Sequence, residues 1–281
     1  GWSAARHYAE DPMGGGAAEL TADQKQLILG GESCMWSEFV STENIDSRVW
    51  PRNAAIAERL WSAENVTDPA SMYRRLEAES ARLEWLGLTH TSAQRHMIRR
   101  IAGPASPGEA QALHVLAAAL EPVKEYTREE NATVPPTSQS AMNRLVDAVD
   151  LESEASRRFS WQVDKFVAGS CQDGAGGATL RSQLQEWAGN DAHLRPLMQR
   201  SFLVKEAAPA SSALSQAAEL ALGALDRITQ GLPLPDKLKQ QQIEALNAFE
   251  LQAHKSQLTL PARAAFQKLI EAAAAGCTGP K

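Results

Sequence analysis

Residues 30–40, Gly-Gly-Glu-Ser-Cys-Met-Trp-Ser-Glu-Phe-Val, concentrate the residue types most able to do chemistry in this chain of 281 residues. Trp36 and Glu38 stand two apart, so an extended backbone points both to the same side. An indole and a carboxylate presented together suit a pyranose ring: the indole packs on its C–H face and the carboxylate accepts from its hydroxyls. An unpaired carboxylate in a core is costly, which favours a functional place for Glu38. Glu32 shares their parity but lies deeper in the run, where a buried ion pair is the expected use, with Arg52, Glu58 and Arg59 as members of the same network. Trp50 and Trp61 read as packing residues, and Gly30 and Gly31 as permissive positions that allow close backbone approach.

Other reactive types are dispersed. His7, His90, His96, His114, His193 and His254 form no metal-ligand spacing. Cys34, Cys171 and Cys277 are an odd, sparse set without C-x-x-C, which argues against a disulfide framework and against a thiolate zinc site. No metal or cofactor is expected.

The elements that must position the candidate pair follow from pattern. "QLILGG" is a compact apolar run stopped by glycines, as a buried parallel strand would be, and no second convincing strand occurs in the chain. Thr21 offers a helix N-cap just before it. From residue 49 the pattern is helical: Val49, Arg52, Ile56 and Leu60 recur at three or four, with Pro51 suited to a first turn. A second helix opens at Asp68-Pro69, shows an apolar face at Met72, Leu76, Leu83 and Leu86, and ends near Gly87. "SAQRHMIRRIAG" extends the helical region to Gly103. The Pro-, Gly- and Ser-rich stretch 103–110 is a linker, dividing the chain into 1–103 and 104–281. Beyond it everything reads as helix, near 108–119, 140–149, 151–168, 177–187, 191–205, 211–230, 236–254 and 261–275.

Composition excludes several classes. Hydrophobic content of 43%, charged content of 22% and net charge −6 describe an ordinary globular chain. Basic residues are mixed with acids, so no nucleic-acid footprint is present, and no apolar run reaches the ~20 residues of a membrane span.

The pair "GGESCMWSEF" and "RVWPRNAAIAERLWS" resembles the end of the catalytic domain of family 20 glycoside hydrolases, the β-N-acetylhexosaminidases. There the last barrel strand carries G-G-E-x-x-M/L-W-x-E, and the next helix W-P-R…A-E-R-L-W. The match covers about residues 1–90 and is densest from Gly30 to Ser62; "ARHYAEDPM" is similar to the loop before that strand in bacterial members. The resemblance implies a mostly α chain: the last strand-helix unit of a (β/α)₈ TIM barrel (residues 1–103), then an all-α helical C-terminal domain (104–281). It implies that Trp36 walls the subsite for a terminal N-acetylhexosamine and that Glu38 binds its O4 and O6 hydroxyls. Partners are then N-acetylglucosamine- or N-acetylgalactosamine-terminated glycans and the rest of the barrel.

The family uses substrate-assisted catalysis, with an Asp that orients the 2-acetamido group and an adjacent Glu as general acid and base. That pair sits on an earlier strand, and no Asp-Glu dipeptide occurs in this sequence. The expectation is therefore a fragment of a longer enzyme, inactive alone, with a periplasmic or extracellular parent. The competing reading is a non-catalytic helical module, residues 104–281 serving in binding or interdomain support.

Overall fold

Helix-entry chemistry carries over into the elements of the structure, a computed structural model that describes residues 2–124, 127–130 and 136–277. Helix α1 (Ala4–Ala9) is capped by Ser3, whose hydroxyl accepts from the Arg6 amide. A 3₁₀ turn (Gly15–Glu19) leads to α2 (Ala22–Lys25), where Thr21 and Gln24 form the reciprocal capping box. Then come α3 (Ile45–Val49), α4 (Arg52–Trp61) and α5 (Pro69–Trp85). The Asp68 side chain caps α5 with Pro69 at its first position, and Gly87 at φ +103° turns the chain away after it. Helix α6 (Ser92–Ala102) follows. The chain divides inside it into two compact units, Gly1–His96 and Met97–Lys281.

The first unit has a small core built by α1, α4 and α5: Ala4, Tyr8, Ala55, Met72, Tyr73 and Leu76. It corrects two expectations. Residues 28–37 form no strand. A ladder needs a neighbour to accept and donate, and the described residues supply none there, so Leu27 and Leu29 stand exposed at 78% and 100%. The apolar stripe of α4 also differs. Val49 belongs to α3, and α4 buries Ala55 and Arg59 while Leu60 is exposed. The buried face of α5 covers Met72, Tyr73 and Leu76, and Leu86 lies outside it.

The second unit continues with α7 (Pro107–Ala119), β1 (Glu121–Pro122), α8 (Thr127–Glu130), α9 (Leu145–Ala148), α10 (Glu154–Ala168), α11 (Gly174–Arg200), α12 (Phe202–Lys205), α13 (Ala208–Gln230), α14 (Asp236–His254), β2 (Leu258–Thr259) and α15 (Arg263–Ala274). Phe159, Trp187 and Phe266, from α10, α11 and α15, meet at centroid distances of 5.0, 5.5 and 5.9 Å in its core. Where the pattern predicts two helices at 177–187 and 191–205, α11 runs unbroken to Arg200. Gly189 costs only about 1 kcal/mol relative to Ala in a helix interior, and buried Asn190 docks the turn by donating to the Ala112 carbonyl at 3.0 Å. The all-helical expectation misses β1 and β2, which pair antiparallel, Glu121 opposite Thr259 and Pro122 opposite Leu258.

An ion pair and a disulfide close this unit. Arg128 and Asp147, both buried, form an ion pair; Gln257 accepts from Arg128 at 3.2 Å, and the second Asp147 oxygen accepts from the Arg144 amide at 2.9 Å. Contrary to the expectation from cysteine count, Cys171 and Cys277 form a disulfide with Cα atoms 6.1 Å apart, across 106 residues. The spacing is within the range a disulfide requires.

Candidate functional site

The segment that carries Trp36 and Glu38 runs from the end of α2 to a turn before α3. Ile28 donates to the Lys25 carbonyl at its start, and Val40 donates to the Ser37 carbonyl at its end. The two glycines have separate reasons. Gly30 adopts φ +147°, which side-chain-bearing residues avoid. At Gly31 a Cβ would come within 3.3 Å of the Leu60 Cδ2 atom, so the backbone lies directly on α4. Two residues on, the Ser33 hydroxyl donates to Asn53 Oδ1 at 2.5 Å, again on α4. Beyond these contacts Cys34, Met35, Trp36 and Glu38 face solvent, Trp36 at 78% exposure.

The residues expected to form one buried network with Glu32 are used differently. Glu32 is exposed, because the strand that would have carried it inward is not formed. Arg52 and Arg59 instead grip the two flanks of α1. Arg52 Nη1 donates to the Trp2 carbonyl at 2.8 Å, and Arg59 Nε to the Glu10 carbonyl at 3.0 Å. Arg52 Nη2 also donates to the Arg48 carbonyl at 2.5 Å, which ties α3 to the same helix. Between the two arginines Glu58 accepts from the hydroxyl of fully buried Tyr8 at 2.6 Å and from Arg75 Nε at 3.0 Å. The Arg75 guanidinium holds the Glu58 carboxyl below the usual carboxylate range, outweighing the opposing effect of burial. Burial, then the bond to Glu58, pushes the Tyr8 phenol up. The expected ion network of Glu32 with Arg52, Glu58 and Arg59 is therefore not formed: the two arginines bond backbone carbonyls and Glu58 pairs with Arg75. Three of the targets are backbone carbonyls, which leave no mark on residue type, and Tyr8 and Arg75 carry only a weak signal.

A second grouping has the order of a hydrolase triad and leaves no spacing signal in the sequence. Ser80 Oγ lies 2.8 Å from Nε2 of buried His90, whose Nδ1 is 3.6 Å from Glu84 Oε1. That last separation exceeds hydrogen-bond reach, and the same Glu84 oxygen accepts from the Thr91 and Ser92 amides at 2.6 and 3.1 Å. The carboxylate is therefore anchoring the entry to α6 rather than orienting an imidazole for catalysis. Burial pushes the His90 imidazole below its usual value, against the pull of Glu84 and Asp46.

Among the described residues no three His, Cys, Asp or Glu side chains gather as a metal site, and no helix is long and apolar enough to cross a membrane. In the helical unit a cavity of about 670 Å³ opens between the start of α11 and the end of α13, lined by Phe166, Gln172, Arg181, Gln185 and Thr229. Its Arg181 is paired with Asp226.

Comparison with known proteins connects this geometry to a family. Residues 3–64 match the catalytic domain of glycosyl hydrolase family 20. The chain is 42% identical over 82 residues to the beta-hexosaminidase subunit beta of Mus musculus, an overlap of 29% of this chain and 15% of that protein. With the Homo sapiens subunit beta it shares 40% identity over 83 residues, 30% of this chain and 14% of that one. The X-ray structure of Flavobacterium johnsoniae chitobiase superposes with a TM-score of 0.80 at 34% identity, over 96% of this chain and 39% of that chain. The chain thus spans about 15% of the length of the mouse hexosaminidase subunit and 39% of the solved chitobiase. At 96% coverage, the likeness to the chitobiase extends into the helical unit.

Proposed function

We infer that this chain, which carries the C-terminal part of a family 20 glycoside hydrolase, supplies one wall of the subsite for a terminal, non-reducing N-acetylhexosamine. The observation that carries the reading is the segment Gly30–Phe39: its motif matches the family, and it presents Trp36 and Glu38 to solvent from a backbone seated on α4. Trp36 packs on the C–H face of the sugar, and Glu38 accepts from the O4 and O6 hydroxyls. Glycans ending in N-acetylglucosamine or N-acetylgalactosamine are the substrates of the complete enzyme.

In the complete enzyme the chemistry is substrate-assisted and retaining. The 2-acetamido carbonyl oxygen attacks the anomeric carbon as the aglycone leaves, a carboxylic acid protonates the departing oxygen, and an oxazolinium forms. The same carboxylate then removes a proton from the water that opens the ring. The Asp that orients the acetamido group and the Glu that moves the proton come from an Asp-Glu dipeptide that this sequence does not contain, so residues outside it must supply them. Residues 1–103 are then the end of a barrel whose earlier strands cover the exposed Leu27, Leu29 and Trp61. Exposed apolar surface of this kind marks an interaction face. The Cys171–Cys277 disulfide supports an oxidising compartment, periplasmic or extracellular.

A test is the assay of the purified chain on a chromogenic N-acetyl-β-glucosaminide. No turnover is expected. Turnover abolished by Glu38→Ala would overturn the assignment of the proton-transfer pair to another part of the enzyme.

A second reading, residues 104–281 as a non-catalytic support or binding module, draws on the self-contained core around Trp187. Its test is retention of a glycan or protein partner by this chain that survives Trp36→Ala with Glu38→Ala; no retained partner counts against it.

A further inference from the structure

We propose that Asn53 is a positioning residue for the sugar-binding segment, acting through Ser33; the inference rests on the subsite reading of Trp36 and Glu38. Among the described residues, none of residues 29–36 makes a backbone–backbone hydrogen bond. The segment depends for its placement on contacts with α4, and two are evident: Gly31 against the Leu60 side chain, and Ser33 Oγ donating to Asn53 Oδ1 at 2.5 Å. Asn53 and Leu60 are seven residues apart, so both contacts fall on one stripe of the helix. That helix is itself held at both ends of α1 by Arg52 and Arg59, and beside Arg59 by Glu58, which accepts from Tyr8.

The geometry decides how much the Ser33 contact matters. Gly30, at positive φ, is a permissive pivot. At about 3.3 Å per residue, an extended chain held only at Gly31 runs about 20 Å before the turn that Val40 closes on the Ser37 carbonyl. Holding it at Ser33 shortens that unsupported span to about 13 Å. Since a misplacement of about 1 Å can cost on the order of 100-fold in an active site, the shorter span is what holds Trp36 in register with a sugar. Ser33→Ala or Asn53→Ala removes the pin without opening a core. Asn53→Asp keeps the accepting oxygen and hence the pin.

Two readouts on this chain separate the parts of the claim. With Cys171 and Cys277 paired, Cys34 is the one free thiol and takes a nitroxide label whose line shape reports the mobility of the segment. The Trp36 indole resonance, followed during titration with N-acetylglucosamine, reports sugar binding. Expected are a narrowed line and sugar binding weakened about fivefold in Ser33→Ala and Asn53→Ala, the factor set by one hydrogen bond. Asn53→Asp should match the parent in both, with thermal midpoints unchanged throughout. An unchanged line shape in Asn53→Ala overturns the positioning role whatever the sugar does. A narrowed line, with no shift of the Trp36 resonance in the parent chain, shows that the pin exists but overturns the sugar subsite on which the proposal rests.

Discussion

Replacing Glu58 by Ala tests the network that joins α4 to α1 and α5, and the structure sets the size of the effect. The Tyr8 side chain is fully buried and its hydroxyl donates to Glu58 Oε1 at 2.6 Å, so truncation of Glu58 strands a buried donor. Such a group costs about 1–3 kcal/mol. Arg75, the other partner, has a side chain 45% exposed, so water replaces Glu58 there and the pair itself adds at most about 0.5 kcal/mol. The expected loss for Glu58→Ala is thus about 2 kcal/mol. Tyr8→Phe leaves no orphaned donor and should cost about 1 kcal/mol or less. The double variant should lose less than the sum, because a phenyl ring in place of the phenol no longer needs the carboxylate. Urea unfolding of the four chains measures all three terms. An acid-limb measurement adds a sign. The folded Glu58 carboxyl is held below its ordinary value of 4.5, so its contribution is complete above that pH and disappears as pH falls through the folded value. Glu58→Ala should lack this part of the acid dependence. A Glu58→Ala cost no larger than that of Arg75→Ala would refute the reasoning, since it would mean that the Tyr8 hydroxyl is not the group that suffers.

Further outcomes follow from the rest of the chain. Disulfide exchange should be slow natively, with one reactive thiol from Cys34 and three after reduction of unfolded protein. Closure of a loop near 100 residues stabilises by up to about 4.7 kcal/mol, so Cys171→Ser or reductant should lower the thermal midpoint, and an unchanged midpoint counts against the bridge. Asp147→Ala leaves the buried Arg128 cation without its counter-ion and should cost about 3–5 kcal/mol in denaturant unfolding; a change below about 1 kcal/mol contradicts a dry pair. His90, pushed below 6.5 by burial, contributes stability that is whole above pH 6.5 and lost as pH falls through the lower folded value. An NMR midpoint for its ring above 6.5 would contradict this.

The parts of the fold legible in the sequence are those decided within a few residues. Thr21 as an N-cap, Asp68 before Pro69, and Gly87 at the end of α5 each act through local backbone chemistry, and all three stand where the pattern places them. The failures share a non-local cause. "QLILGG" has the composition of a buried strand, but a strand exists only with a hydrogen-bonding neighbour, and none is formed here. Cys171 and Cys277 meet across 106 residues through the packing of α10 and α15, which no spacing rule anticipates. Within the candidate site, the surrounding motif singles out Trp36 and Glu38, but the parity argument does not carry over, because no strand forms and Glu38 lies in a turn. The pin from Ser33 to Asn53 is not, because a hydroxyl and an amide are ordinary surface types and only the seating of Gly31 on Leu60 brings them together.

The spacing inside α4 explains why one helix can serve both tasks. Seven residues make about two turns and about 10.5 Å of rise, so Arg52 and Arg59 lie on one stripe. That length suits the six residues of α1, about 9 Å of helix, with one gripped carbonyl on each side. Asn53 and Leu60 have the same separation one residue later, which places their stripe about 100° around the axis. The first stripe fixes the helix against α1, and the second fixes the Trp36 segment against the helix. Each stripe depends on the same two turns staying in register. The run from Arg52 to Trp61 therefore behaves as one ruler with two edges, its arginines on the edge that meets α1 and Asn53 and Leu60 on the edge that meets the Trp36 segment.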